Sequence, residues 1–401
     1  MARHRTTVWV LVALVASTLA CSDGGGGDDA PDHERALQIV VTPAVALADA
    51  PLDVTIEGLP ADTEATITVT STDDTGRRWT DEAELRGDAT QALADLLTTL
   101  HPDDGEDGLY AWGDDARTFT VAVTGEGGAG AETQVERHLA GEGVQGRPTT
   151  LEDEGFVGHL WSPAEVPAEP VAAMVLIGGS EGGLGGGPEA PLLASHGYAA
   201  LELGLFKLPG LPDDLDSVPL ETVADALRWL GQQPGVDPDR LWLRGASRGS
   251  EAALLVGAHF PELVAGVVAT VPSSNVNCAL PGCDGPAWTL GGEPLPYARP
   301  PEPAPPDAAI PVELIDGPVH TTCGEQDALW PSCAYVDAIV ARRGRQPDDV
   351  HSRRATASHR VGFIAPQVVV GTIPGYDDGG LLADEQVRLE AWPALLAALA
   401  A

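Results

Sequence analysis

Leu241 to Leu243 reads as a short buried strand and Ala252 to Ala258 as part of an apolar helix; between them stands Gly245-Ala246-Ser247-Arg248-Gly249. A strand that turns into a helix within five residues leaves room only for small side chains beside the turn. The same sharp turn lifts the central side chain above the sheet edge. The alternative, a Gly-rich turn whose serine merely caps the helix, uses the same residues. In this strand-turn-helix context the spacing favours Ser247 as a nucleophile on an α/β scaffold.

The flanking sequence agrees with such a scaffold. Val171 to Ile177 is a continuous apolar run ending in Gly178-Gly179, Tyr198 to Leu203 is a second, and Val264 to Val271 a third. Leu220, Val223, Ala224, Leu227 and Leu230 repeat at helical spacing. Strands alternating with helices predict βαβ units and a mainly parallel sheet. A Pro-rich segment from Ala298 to Pro311 reads as a lid-like insertion over one end of that sheet. Upstream the period changes. Val54-Thr55-Ile56, Ala65 to Thr70 and Thr118 to Val123 alternate β-branched and polar residues between turn signals, the texture of a small immunoglobulin-like sandwich. The acidic loop with Asp103, Asp104, Glu106 and Asp107 lacks the ligand spacing of a calcium loop and reads as a solvated face. The expected organisation is a signal over 1–21, an acidic tether over 22–36, a β-sandwich over 37–145 and an α/β-hydrolase domain over 146–401.

Arg3, His4 and Arg5 precede an apolar run from Val8 to Leu19, and Ala20-Cys21 follows. That is the layout of a secretory signal, and a cysteine after small residues resembles a bacterial lipoprotein signal with Cys21 as the lipidated residue, although Thr18 stands where Leu is usual. The expected location is the outer face of a bacterial membrane, held only through that lipid. Export leaves Cys278, Cys283, Cys323 and Cys333, an even number in an oxidising compartment. The local pairs, Cys278 with Cys283 and Cys323 with Cys333, close the shortest loops. No histidines stand at ligand spacing beside these cysteines, so no metal is implied. The formal net charge of the 401 residues is −38. A surface this negative repels phosphate backbones and anionic headgroups, which argues against nucleic acid and against membrane binding by charge.

A serine at its free pKa is a poor nucleophile and needs a base and an orienting acid. On this scaffold the chain order is Ser, then Asp or Glu, then His. The stretch from Gly317 to Asp327 is a late strand running into a turn with two acids, Asp327 and in reserve Glu325. For the base, His359 is favoured by order and position over His320, which precedes the acid within a strand, and over His351. The donors for a developing oxyanion would be the backbone N–H of Arg248 and one from the turn Gly178-Gly179-Ser180-Glu181-Gly182-Gly183, with Ser180 preferred. A phosphate-cradling loop would need a following lysine, which is absent, so no cofactor is implied.

The turn at 178–183, Leu192-Leu193-Ala194-Ser195-His196-Gly197-Tyr198-Ala199, Pro219-Leu220-Glu221, Ala226 to Leu230, the elbow through Leu254, Ile310-Pro311-Val312-Glu313, Gly317-Pro318 and the run Cys323 to Ser332 together resemble the acyl-CoA thioesterase and bile acid-CoA:amino acid N-acyltransferase family. The resemblance spans most of residues 150–370, and Gly58-Leu59-Pro60 and Arg78-Trp79-Thr80 extend it to that family's N-terminal sandwich. It implies Ser247 as nucleophile, Asp327 as acid and His359 as base. Because transferring members tend to carry Cys at the nucleophile and hydrolases Ser, it also implies hydrolysis of an acyl thioester or ester. The histidine motif usually has Gly before His, where this chain has Ser358. Beyond Arg244 and Arg248 there is no basic cluster near the elbow to hold CoA. An exported carboxylesterase acting on non-CoA esters, and a surface binding module without activity, are the alternatives.

Overall fold

The computed structural model describes residues 36–401, apart from 60–62, 87–92, 114–115, 126–129, 345 and 373–379. Cys21, the signal-like segment and the tether as far as Arg35 lie outside the described residues.

Eight strands form the central sheet: β1 (Gln145–Thr149), β2 (Val157–Ser162), β3 (Val171–Ile177), β4 (Ala199–Gly204), β5 (Val236–Ala246), β6 (Gly266–Thr270), β7 (Val319–Gly324) and β8 (Val350–Arg354). Their order is β1-β2-β4-β3-β5-β6-β7-β8. β2 runs antiparallel to both neighbours, and all other pairs are parallel. Helices α1 (Glu189–Ser195), α2 (Leu220–Leu230), α3 (Arg248–His259), α4 (Ser332–Arg343) and α5 (Leu381–Ala400) connect or flank these strands. Strand side chains alternate in direction, so β3 feeds two cores. Ala173, Val175 and Ile177 join the cluster containing Val223 and Leu227 of α2 and Leu254 of α3. Met174 and Leu176 join the cluster containing Leu192 of α1 and Trp392 and Leu395 of α5. Burial on both faces explains why β3 is apolar throughout. This topology, with a sharp turn directly after β5, is the α/β-hydrolase fold.

The N-terminal strands make a six-stranded sheet in the order Val45–Leu47, Gly130–His138, Arg117–Gly125, Glu64–Thr72, Arg78–Arg86 and His101–Pro102, together with the pair Gln38–Thr42 and Asp53–Glu57. Ile67, Val69, Trp79, Phe119, Val121, Val123 and Val135 are among its fully buried side chains. Their cluster does not stop at the edge of this sheet: it continues through Tyr110 and Trp112 to Met174 and Trp392 of the hydrolase layer. Polar contacts cross the same junction. Trp112 Nε1 donates to Val369 O at 2.9 Å, and Trp392 Nε1 donates to Asp49 Oδ2 at 2.9 Å.

The Pro-rich segment is pinned at both ends to the 274–278 stretch. Ala298 N–H donates to Val276 O and Cys278 N–H to Ala298 O, while Val276 N–H donates to Ala308 O and Ile310 N–H to Ser274 O. Asp103 and Asp104 of the acidic loop pair with Arg78 at 3.0 Å and Arg77 at 2.6 Å.

Candidate active site

Ser247 joins β5 to α3 with φ 52 and ψ −117. A positive φ is uncommon for a side chain with a Cβ, and it persists only where the surroundings enforce it. Here Ser247 N–H donates to Thr270 O at the end of β6, and Ser250 N–H donates back to Ser247 O. Its side chain makes no cap hydrogen bond to the helix. The two flanking glycines are required by close approach. A methyl at Gly245 would lie 2.2 Å from Gly249 O, and one at Gly249 would lie 2.1 Å from Gly178 O.

Asp327 follows β7, and His359 opens the 3-10 turn His359–Gly362 after β8. His359 Nδ1 lies 2.8 Å from Asp327 Oδ2, with both side chains almost wholly buried. A carboxylate only accepts, so Nδ1–H is the donor and Nε2 is left as the basic nitrogen. Asp327 Oδ1 accepts from the backbone N–H of Leu329 at 3.0 Å and Trp330 at 3.3 Å, which fixes the carboxylate within its own turn. The Trp330 ring stands 6.0 Å from the His359 ring, and its Nε1 donates to Val271 O. The other candidates go elsewhere. Glu325 is exposed opposite Arg353 at 3.8 Å, buried His320 packs edge-on to Trp242, and His351 Nδ1 meets Thr321 Oγ1 at 2.8 Å.

The turn after β3 wraps the elbow from the other side. Gly179 is buried against Ser247, since a methyl on Gly179 would sit 3.2 Å from Ser247 Cβ. Ser180, one position on, is exposed, and its carbonyl faces Lys207 Nζ at 3.5 Å. Glu181 folds back over the turn, and Gly179 N–H donates to Glu181 Oε1 at 2.6 Å. Arg248, whose N–H follows the nucleophile, is buried; its guanidinium donates to Asn277 O at 3.1 Å and Cys278 O at 2.9 Å.

No family model matches the chain. Mouse acyl-coenzyme A thioesterase 6 is 30% identical over 220 residues, covering 52% of this chain and 51% of that protein. Mouse acyl-coenzyme A amino acid N-acyltransferase 1 is 26% identical over 267 residues, covering 58% of this chain and 61% of that protein. The chain's curated relatives are acyl-CoA thioesterases and acyl-CoA amino acid N-acyltransferases. The first of these alignments spans about half of the relative's length and the second about three-fifths. A solved dienelactone hydrolase-like promiscuous phosphotriesterase from metagenomic libraries superposes with a TM-score of 0.43 at 18% identity, over 64% of this chain and 98% of that one.

For a chain with acyl-CoA thioesterase relatives, the cations near the serine carry weight. Arg244 is buried and paired with Glu189 at 2.8 Å, and Arg248 is buried with Nε 2.9 Å from Glu251 Oε1. Both charges are therefore committed within the protein. Lys207, the chain's single lysine, is exposed beside the 178–183 turn, with Nζ 3.2 Å from Glu181 O. Arg244 also serves the histidine loop, because its Nη2 donates to Gly362 O and Glu189 Oε1 accepts from Ile364 N–H at 2.6 Å. Desolvation by burial pushes the Glu189 carboxyl up, against the pull of Arg244.

Sequence reasoning missed the buried acids that hold these loops. Asp384 of α5 accepts from Ser358 N–H at 2.6 Å, from Ser358 Oγ at 2.9 Å and from Arg360 Nε at 2.9 Å. The serine that stands in place of the expected glycine is thus a handle that fixes the histidine turn, and it also accepts from Arg360 N–H as the cap. Two disulfides, Cys278–Cys283 and Cys323–Cys333, close short loops. The first begins at Cys278, whose carbonyl receives Arg248, and the second brackets Asp327. A charged residue inside an otherwise apolar helix, as with Glu251 in α3, is the sequence signal that could have flagged such a support.

Proposed function

We propose that the protein is a serine hydrolase that cleaves acyl thioesters or related esters through an acyl-serine intermediate. The observation that carries this reading is the left-handed Ser247 at a β-to-α turn, with no capping role for its side chain. In the proposed reaction Ser247 Oγ attacks the substrate carbonyl carbon and its proton passes to His359 Nε2. Asp327 holds Nδ1–H and stabilises the imidazolium. The N–H of Arg248 and an N–H of the Gly178–Ser180 turn would receive the oxyanion. Gly179 N–H is engaged by Glu181, so an oxyanion that used it would displace that carboxylate. His359 then gives its proton to the departing thiol or alcohol. Water, deprotonated by the same nitrogen, releases the acid and restores Ser247.

Acyl-CoA substrates are suggested by the relatives. A non-CoA acyl ester is the second reading, favoured by the net charge of −38 and by the internal pairing of Arg244 and Arg248. We place the chain outside the cytoplasm, anchored through lipid on Cys21, on the strength of residues 3–21. Mass spectrometry that finds unmodified Cys21 in the membrane-associated protein would remove that placement. For the activity, the purified protein should hydrolyse short p-nitrophenyl esters and take up a fluorophosphonate on Ser247, and Ser247→Ala should lose both. Full turnover by Ser247→Ala would refute the serine mechanism. Thiol release from palmitoyl-CoA set against ester cleavage separates the two substrate readings, and turnover of neither would favour a binding module.

A further inference from the structure

Val271, directly after β6, is fully buried and has φ 42. For a β-branched residue that is an outlier, which persists only where the surroundings over-determine it. Strain of this kind clusters at functional sites, so the contacts that hold Val271 bear on function. Its N–H donates to Thr322 O of β7 at 2.8 Å, and its carbonyl accepts from Trp330 Nε1 at 3.1 Å. Its side chain packs with Ala357 and Val361, which bracket His359 in the chain, and a methyl at Gly362 would lie 3.3 Å from Val271 Cγ2. One residue earlier, Thr270 O accepts from Ser247 N–H at 2.9 Å. Consecutive carbonyls at the end of β6 therefore receive the elbow and, by way of Trp330, a neighbour of the histidine.

Trp330 touches both members of the Asp327–His359 pair. Its backbone N–H donates to Asp327 Oδ1 at 3.3 Å, and its ring stands 6.0 Å from the His359 ring with the planes at 65°. Tyr335 of α4 meets the Trp330 ring edge-on, also at 6.0 Å. A single hydrogen bond at Nδ1 fixes one ring nitrogen and not the tilt of the imidazole. A second ring packed against it at a steep angle limits that tilt. We propose that Trp330, anchored by Val271, is a positioning residue that aims His359 Nε2 at the leaving atom of the substrate. This inference rests on the serine-hydrolase reading. In the step concerned, the Nε2–H bond of the imidazolium breaks and a bond from that proton to the leaving oxygen or sulfur forms. The bond from the carbonyl carbon to the same atom breaks, and its electron pair stays on that atom. An alkoxide needs this proton, whereas p-nitrophenolate is a stabilised anion that leaves without it. A poorly aimed imidazole therefore penalises an alkyl ester more than a p-nitrophenyl ester.

Trp330→Phe keeps a ring beside His359 and deletes the donor to Val271 O. In the purified protein this variant should lower kcat/KM about tenfold for p-nitrophenyl butyrate and about a hundredfold for ethyl butyrate, with KM for each nearly constant. A partly unfolded variant would lower both rates alike, so the ratio of the two esters separates aim from stability. Looseness of the ring is also read without turnover, by proton NMR. The His359 Nδ1–H resonance, assigned by its absence in His359→Gln, should exchange with water at least about tenfold faster in Trp330→Phe than in the parent. An equal loss on both esters, a loss that comes through KM alone, or an unchanged exchange rate would each overturn the proposal. A parent that turns over neither ester would count against the hydrolase reading, while the exchange rate would still decide whether Trp330 holds the ring.

Discussion

Glu251 ties the helix after Ser247 to Asn277 and Trp288, and its removal has a calculable effect. It is 0% exposed in α3, four residues after the nucleophile. Oε1 accepts from Asn277 Nδ2 at 2.7 Å and faces Arg248 Nε at 2.9 Å. Oε2 accepts from Asn277 N–H at 3.1 Å, Trp288 Nε1 at 3.0 Å and Arg248 Nη2 at 3.4 Å. Every neighbour is a donor, so Glu251→Gln turns one oxygen into an NH2 that opposes at least two donors in either orientation. It also removes the carboxylate charge beside a buried guanidinium. Breaking a buried pair from one side costs about 3–5 kcal/mol. A unit of this size unfolds with an entropy of roughly 0.8 kcal/mol/K, so the melting temperature should fall by about 4–6 °C. Arg248 also supplies the proposed oxyanion N–H, and loss of one such donor costs about 10²–10³ in kcat. Partial misplacement should lower kcat about 10–100-fold with KM nearly constant, because the donor acts on the transition state more than on the bound ester. Calorimetry and steady-state hydrolysis of p-nitrophenyl butyrate measure the two effects. A melting temperature within about 1 °C of the parent would refute the charge argument. A lowered melting temperature with unchanged kcat would show that Glu251 supports the fold and not the oxyanion donor.

The Cys323–Cys333 bridge closes a loop of sequence separation 10 around Asp327. Replacing both cysteines with serine should cost about 2–3 kcal/mol of stability by loop entropy and about tenfold in kcat; unchanged kcat would mean that the hydrogen bonds from Leu329 and Trp330 hold Asp327 unaided. Glu181→Ala removes an anion from the Gly179 N–H and should raise kcat/KM several-fold, whereas a fall would show that the carboxylate orders the turn for catalysis. Desolvation holds buried His320 below the ordinary 6.5. Between its folded and unfolded values the unfolded chain binds more protons, so this contribution to stability is complete above about pH 6.5 and is lost as pH falls toward the folded value. Urea unfolding at about pH 5 and pH 7 should show a smaller loss on acidification for His320→Gln than for the parent. An equal loss in both proteins would mean that other groups carry the acid sensitivity.

The parts of this molecule legible in its sequence are those set by short-range geometry. The apolar run Val171 to Ile177 becomes a buried strand because helices cover both faces of the sheet, and the leucine spacing from Leu220 to Leu230 becomes one amphipathic helix. Gly245 and Gly249 are legible for a steric reason, since a methyl at either would fall within 2.2 Å of a carbonyl oxygen. Chain order singled out Asp327 and His359, and these two side chains meet at 2.8 Å. What was hidden depends on residues far apart in the chain. Asp384 reaches Ser358 across 26 positions, and Glu189 reaches Ile364 across 175. No periodicity encodes such pairs. A buried acid in a helix shows itself only as a charged residue on an apolar face, which solvent exposure explains equally well. The change of period at the expected boundary between 145 and 146 also marks a change of secondary structure without marking a break in packing, because Trp79, Phe119 and Met174 share one cluster. A core that runs through the junction makes the strand-rich half part of the hydrolase layer's support. Destabilising substitutions at Phe119 or Trp112 should therefore lower esterase activity and melting temperature together, although neither residue approaches Ser247 in sequence.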